Sequence, residues 1–288
     1  MSDFVRQKSS ISNFGTSNSW VILSPIEQSI KTKIEKLGTP LKNWNINIYR
    51  GVLTGFNDAF IISGEKRQEI LDNCKTEAER KRTDGLIRPI LRGRDIKRYS
   101  YEYADLYLIA TFPSKHYDID DYPAVKDYLL SFGMERLEQT GKKYKGFSAR
   151  KKTNNKWFET QDSISYWDEF NKPKIVYCEI GSEMDACVIK SGIFINNKLY
   201  MVTGEYLEYL LILFNSKLFN KIILRSANIT GGKGVDFMNK IRCIIPEKSQ
   251  IAESIELIKS NASDSAKDDF INTIYGLSEE ECLYLANL

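Results

Sequence analysis

From residue 24 onward the chain carries a one-sided apolar pattern. Ile26, Ile30 and Ile34 recur at helical spacing among polar neighbours. Ser24 precedes them as an N-cap, Pro25 takes the first helical position, and Glu27 completes a capping box. Gly38 and Pro40 end the helix. At Trp44 the period changes to two: Trp44, Ile46 and Ile48 alternate with Asn45, Asn47 and Tyr49, as in a half-buried strand. Further strand-like runs fall near 58–62, 87–92, 105–111, 174–180, 185–190, 193–202 and 241–245, with helical stretches near 65–82, 121–139 and 205–226. Strands and helices do not alternate regularly and nothing repeats. The pattern predicts an irregular α+β fold with a mixed sheet, not a doubly wound parallel sheet.

The last forty residues differ. Helices are predicted near 249–260, 264–275 and 278–287, with Ser278 and Glu281 forming a second capping box. Ile251, Ile255 and Ile258, then Phe270, Ile274 and Tyr275, supply narrow apolar stripes suited to a short helical tail. Such a tail packs on the main domain or on a partner domain. Residues 1–19, rich in Ser and Asn without periodicity, are expected to be a flexible lead-in. The expected division is therefore 1–19, a main domain over 20–248, and a tail over 249–288.

Composition narrows the class only slightly. Lys and Arg number 41 against 38 Asp and Glu, too mild an excess to name a nucleic-acid partner by itself. The five cysteines form no CxxC pair, which argues against a disulfide framework or zinc site. No run of eighteen apolar residues occurs and the first residues lack a signal-peptide core, so no membrane association and a cytoplasmic location are expected.

The distribution of charge says more. Residues 142–156 read KKYKGFSARKKTNNK, with Lys142, Lys143, Lys145, Arg150, Lys151, Lys152 and Lys156 basic and no carboxylate among them. Gly141 and Gly146 favour an exposed loop, and no strand or helix period fits. Lysines of this kind neutralise phosphates, whereas Arg150, Asn154, Asn155 and Gln161 are the residue types that pair with base edges. A second basic stretch runs from Arg88 to Tyr99. A third candidate is the loop 229–234, where Lys233 stands among three glycines but without the spacing of a nucleotide-binding P-loop.

Catalytic signatures are sparse. The seven prolines are never adjacent, which removes the Pro-Pro tetrapeptide of amino-methylating DNA methyltransferases, and no glycine-rich cofactor turn is complete. The single histidine, His116, supports no triad. Asp84 with Asp95-Ile96-Lys97 matches the loose D…(D/E)xK pattern of metal-dependent nucleases, which stands as the alternative reading. An RNA-binding or protein-docking module using the same loop is a third.

Several stretches resemble, in order, the TaqI-like C-terminal specificity domains of single-chain restriction–modification enzymes. They are Ile48–Ile62, Arg88–Tyr99, Asp120–Val125, Lys156–Asp162, Pro173–Tyr177 and Ile274–Glu281. The resemblance implies a target recognition domain in bacterial host defence. Such a domain grips double-stranded DNA and positions it for an adenine-specific methyltransferase and nuclease on the same or a partner chain. It further implies that S-adenosylmethionine and Mg²⁺ belong to those catalytic domains, with no cofactor and no catalysis on this chain. Within the Ile48–Ile62 stretch, Gly51, Thr54, Gly55 and Asn57 are expected to build a turn rather than to touch DNA.

Overall fold

Helix Pro25–Leu37 forms as its local signals dictate. In the computed structural model, which describes residues 23–178, 183–227 and 234–288, Ser24 and Glu27 make both bonds of the capping box. The N–H of Gly38 closes the other end on the Ile34 carbonyl. The expected lead-in over 1–19 and most of the loop 229–234, including Lys233, lie outside the described residues, as does the end of the strand expected over 174–180.

Two compact units share the chain. The first comprises residues 1–49, 178–187 and 202–288, the second 50–177 and 188–201.

Helices dominate the first unit. Ile30 and Ile34 are buried on the inner face of Pro25–Leu37, and Glu27, also buried, is paired with Arg225 at 3.0 Å. Helix Leu207–Asn215 is apolar nearly all round and is buried from Tyr209 to Asn215, as a central helix must be. It ends at Ser216, whose backbone is extended, and a π-helical turn, Leu218–Ile223, follows. The tail folds as three helices, Lys248–Lys259, Asp264–Ile274 and Glu279–Ala286, close to their expected bounds. The second capping box, Ser278 with Glu281, is present, and Glu281 also accepts from Lys33 at 2.6 Å. The tail thus packs within this unit. None of the five cysteines forms a disulfide, and burial pushes the Cys187 and Cys243 thiols up to about 12.

The second unit is built on a four-stranded mixed sheet. Phe194–Ile195 runs parallel to Ile87–Leu91, which pairs antiparallel with Leu106–Ile109, which in turn pairs antiparallel with Ile61–Ser63. Ile90, Leu91, Leu108 and Ile109 on these strands are fully buried. Phe170 stacks on Phe194 at 4.2 Å to continue the core. The fold is α+β, as the pattern predicts.

Five local expectations need correction. The helix expected over 121–139 is two short ones, Pro123–Leu130 and Met134–Leu137, broken at Gly133 with φ +86°, and the strand expected over 193–202 is two, Phe194–Ile195 and Leu199–Gly204. The strand expected near 58–62 is a helical turn, Asn57–Phe60, followed by strand Ile61–Ser63. The helix expected over 65–82 is two, Gly64–Asp72 and Glu77–Leu86, because Thr76 caps the second through the Glu79 N–H. The stretch 142–156 is not structureless. It contains a hairpin, Lys143–Tyr144 with Phe147–Ser148, whose strands are too short to show a period.

Candidate nucleic-acid interface

All the described candidates lie in the second unit. The hairpin turns at Lys145-Gly146, with Gly146 at φ +93° in the left-handed region that glycine alone enters without strain. Below the turn the pairing extends downward. Ala149 N–H donates to the Lys142 carbonyl, Gly141 N–H to the Arg150 carbonyl, both at 2.8 Å, and Arg150 N–H to the Glu138 carbonyl at 3.2 Å. Lys142, Lys143, Lys145, Lys151, Lys152, Asn154 and Lys156 are all exposed along this hairpin and the segment after it.

Arg150 is the exception. It is 3% exposed, and its guanidinium donates to four backbone carbonyls: Thr54 and Glu159 at 2.6 Å, Trp157 at 3.1 Å and Leu137 at 3.2 Å. Burial lowers its pKa to about 10, so it stays charged at neutral pH. The structure thus places this expected base reader inside the scaffold, where it ties the turn at 54 and the segment 157–159 to the hairpin base. Asn155 is similarly occupied, donating to the carbonyls of Thr160 and Gln161 at 3.1 and 2.9 Å.

Gln139, which the sequence did not single out, is the second internal brace. Its buried side chain donates to the carbonyls of Lys156 and Glu159 and accepts from the Thr153 hydroxyl at 2.8 Å. The sequence assigns it to the end of the helical stretch near 121–139, but the last helical turn there closes at Leu137 and Gln139 lies in the segment beyond it. Its partners lie up to 20 residues away.

Beside the hairpin opens a cleft of about 630 Å³. Its walls include Phe56, Asn57, Arg136, Phe147, Lys151, Gln161, Asn197 and Lys198, with no carboxylate among its lining residues. The turn Leu53–Asn57 shapes one wall, as the turn chemistry predicts: Phe56 N–H donates to the Thr54 hydroxyl, which donates to Asn57 Oδ1 at 2.7 Å. Gly55 sits at φ +78°, and a Cβ there would meet Gln161 Oε1 at 2.8 Å. Gly51 instead permits close approach, since its Cβ would fall 2.1 Å from the Asn196 carbonyl oxygen.

The residues of the nuclease pattern do not converge. Asp84 pairs with Arg67 at the end of helix Glu77–Leu86. Asp95 is buried and clipped by Arg92, which donates through its backbone N–H and its guanidinium at 2.8 to 3.1 Å. The strand Ile87–Leu91 separates the two carboxylates, and five extended residues span roughly 16 Å. Lys97 is exposed. Among the described residues no group of three or more His, Cys, Asp or Glu side chains could hold a metal ion. His116 is exposed, and no helix among the described residues is long and apolar enough to cross a membrane.

Comparison with solved structures places this fold beside that of the type IIL restriction–modification enzyme MmeI, determined in complex with DNA. The match has a TM-score of 0.50 and 10% identity, and covers 88% of this chain and 37% of that one. The type IIG restriction endonuclease BpuSI also matches, with a TM-score of 0.48 and 12% identity over 90% of this chain and 33% of that chain. The chain therefore spans well under half the length of either enzyme. A search of curated protein sequences finds no match. The model of the TaqI-like C-terminal specificity domain matches residues 88–239, a stretch that contains the hairpin and most of the cleft wall. This chain belongs to the TaqI-like C-terminal specificity domain family.

Proposed function

We propose that this chain recognises double-stranded DNA for a restriction–modification enzyme of the bacterial cytoplasm and holds it for catalytic domains that the chain itself does not supply. The observation that carries this reading is the hairpin and its flank. Six lysines and Asn154 are exposed there with no carboxylate between residues 142 and 156. Such a surface attracts the phosphate backbone wherever it lands, because each lysine releases condensed counterions. Specificity has to come from side chains that meet base edges, and the adjoining cleft offers amides and a guanidinium for that purpose.

The catalytic share is assigned elsewhere. An adenine-specific methyltransferase, with its S-adenosylmethionine, and a Mg²⁺-dependent nuclease would sit on other domains of the same or a partner chain. The fold it shares with a DNA-bound restriction–modification enzyme supports this division. Lys233, in the loop 229–234, is retained as a further phosphate contact on charge alone. Within the expected division into 1–19, 20–248 and 249–288, the middle segment carries the DNA surface.

The test is equilibrium binding of the purified chain to a labelled duplex at low salt, followed by fluorescence anisotropy. Charge reversal at Lys142, Lys145 and Lys152 should abolish binding while the circular dichroism spectrum is unchanged. Undiminished binding by that variant would remove the hairpin from the interface.

A further inference from the structure

The basic run begins at Lys142, so sequence alone leaves Arg136 as one more residue of the helical stretch expected near 121–139. The structure gives it a different setting. Arg136 lies in the single helical turn Met134–Leu137, which starts from Gly133 at φ +86°. The next residue, Leu137, is fully buried, and its carbonyl receives the Arg150 guanidinium at 3.2 Å. The backbone beneath Arg136 is therefore pinned from inside.

Its side chain is exposed and lines the cleft. The guanidinium carbon stands 4.7 Å from the Phe56 ring centre and 5.8 Å from that of Phe147, one ring from the turn and one from the hairpin. Each ring is itself supported. Phe56 meets Phe132 edge-on at 5.5 Å, and Phe147 stacks on Tyr144 at 4.9 Å. Two aromatic neighbours attract the cation and restrict its rotamers, so less freedom is lost when it engages a ligand. No carboxylate lines this cleft, and Arg136 has no ion pair among the described residues.

The neighbours indicate what a fixed guanidinium would meet. Asn57, Gln161 and Asn197 share the cleft wall. Amides of this kind donate to and accept from base edges; Lys151 and Lys198 also line the cleft, whereas Lys142, Lys143, Lys145 and Lys152, suited to phosphates, do not. Of the base edges in the major groove, guanine alone presents paired acceptors, O6 and N7, that match the guanidinium fork. We propose that Arg136 is a base-reading side chain of this chain and that the base it reads is a guanine of duplex DNA. This rests on the duplex-binding reading above, and it moves the reading role from the buried Arg150 to a residue outside the basic run.

Selection from a randomised duplex pool by the whole chain tests it, repeated with Arg136→Ala, Arg136→Lys and Lys142→Ala. The wild type should enrich a motif containing a guanine. Its preference for that base pair, measured as the ratio of affinities for the selected duplex and one altered at that position, should fall about tenfold to hundredfold in Arg136→Ala. Arg136→Lys should not restore the ratio, because an ammonium lacks the fork. Lys142→Ala should weaken binding to both duplexes and leave the ratio as it was. A wild-type motif without guanine, or a ratio unchanged in Arg136→Ala, overturns the assignment while duplex binding stands. Failure of the wild type to bind any duplex overturns both.

Discussion

The guanidinium of Arg150 donates to the carbonyl oxygen of Thr54 at 2.6 Å across 96 residues of chain. That bond joins the base of the basic hairpin to the turn that walls the cleft. The other three bonds of the same side chain fasten Leu137, Trp157 and Glu159 to it. One buried cation thus sets the spacing between the surface that would meet phosphates and the side chains that would meet bases.

Replacing Arg150 by Met should lower stability by about 3 kcal/mol or more, because several buried carbonyls lose a charged donor at once. Urea denaturation of the two proteins measures this. Arg150→Lys should recover only part of the loss, since one ammonium cannot reach four carbonyls fixed around a planar fork. A variant as stable as the wild type would mean that the carbonyls find other donors and that Arg150 does not organise the site.

Lys174 makes a prediction about pH. Its ammonium is fully buried, donating to the carbonyls of Phe170 at 2.6 Å, Lys190 at 3.2 Å and Lys172 at 3.4 Å. Burial lowers its pKa from the ordinary 10.5 to about 8. Between those values the unfolded chain holds a proton that the folded chain has released, so stability rises with pH across that window. Relative to Lys174→Met, the wild type should therefore gain in urea midpoint between pH 7.5 and pH 9.5. Parallel profiles for the two proteins would contradict the assignment.

Asp95 separates a structural carboxylate from a catalytic one. Held by Arg92, it closes the turn Gly93–Asp95 after strand Ile87–Leu91. Asp95→Asn should destabilise by about 1–3 kcal/mol through loss of a charge-assisted pair. Neither protein should cut plasmid DNA when Mg²⁺ is added. Cutting by the wild type that disappears in a normally folded Asp95→Asn protein would revive the nuclease reading.

What the sequence shows in advance follows the range of the interactions involved. Helix Pro25–Leu37 and the three tail helices were legible because caps and apolar stripes act over three or four residues. The basic surface was legible because charge needs no fold to be counted. The hairpin was not, since strands of two residues carry no period. Arg150 looked like a base reader because its chemistry fits that role, and its burial is decided by carbonyls that only the tertiary fold assembles. Arg136 was passed over for the opposite reason, as its aromatic supports lie at residues 56 and 147, far to either side. The break at Thr76 was within reach: a capping residue three positions before Glu79 is a local signal inside a stretch read as one helix.

The central claim is that the lysines of the hairpin contact DNA phosphates. The most direct measurement is the slope of log binding constant against log salt concentration for a duplex, with wild type and with Lys142, Lys143 and Lys145 all replaced by Ala. Each phosphate contact contributes about 0.9 to that slope, so the triple variant should bind with a slope shallower by about 2.7. Wild-type binding that ignores salt, or a slope unaltered by the three substitutions, would contradict the account.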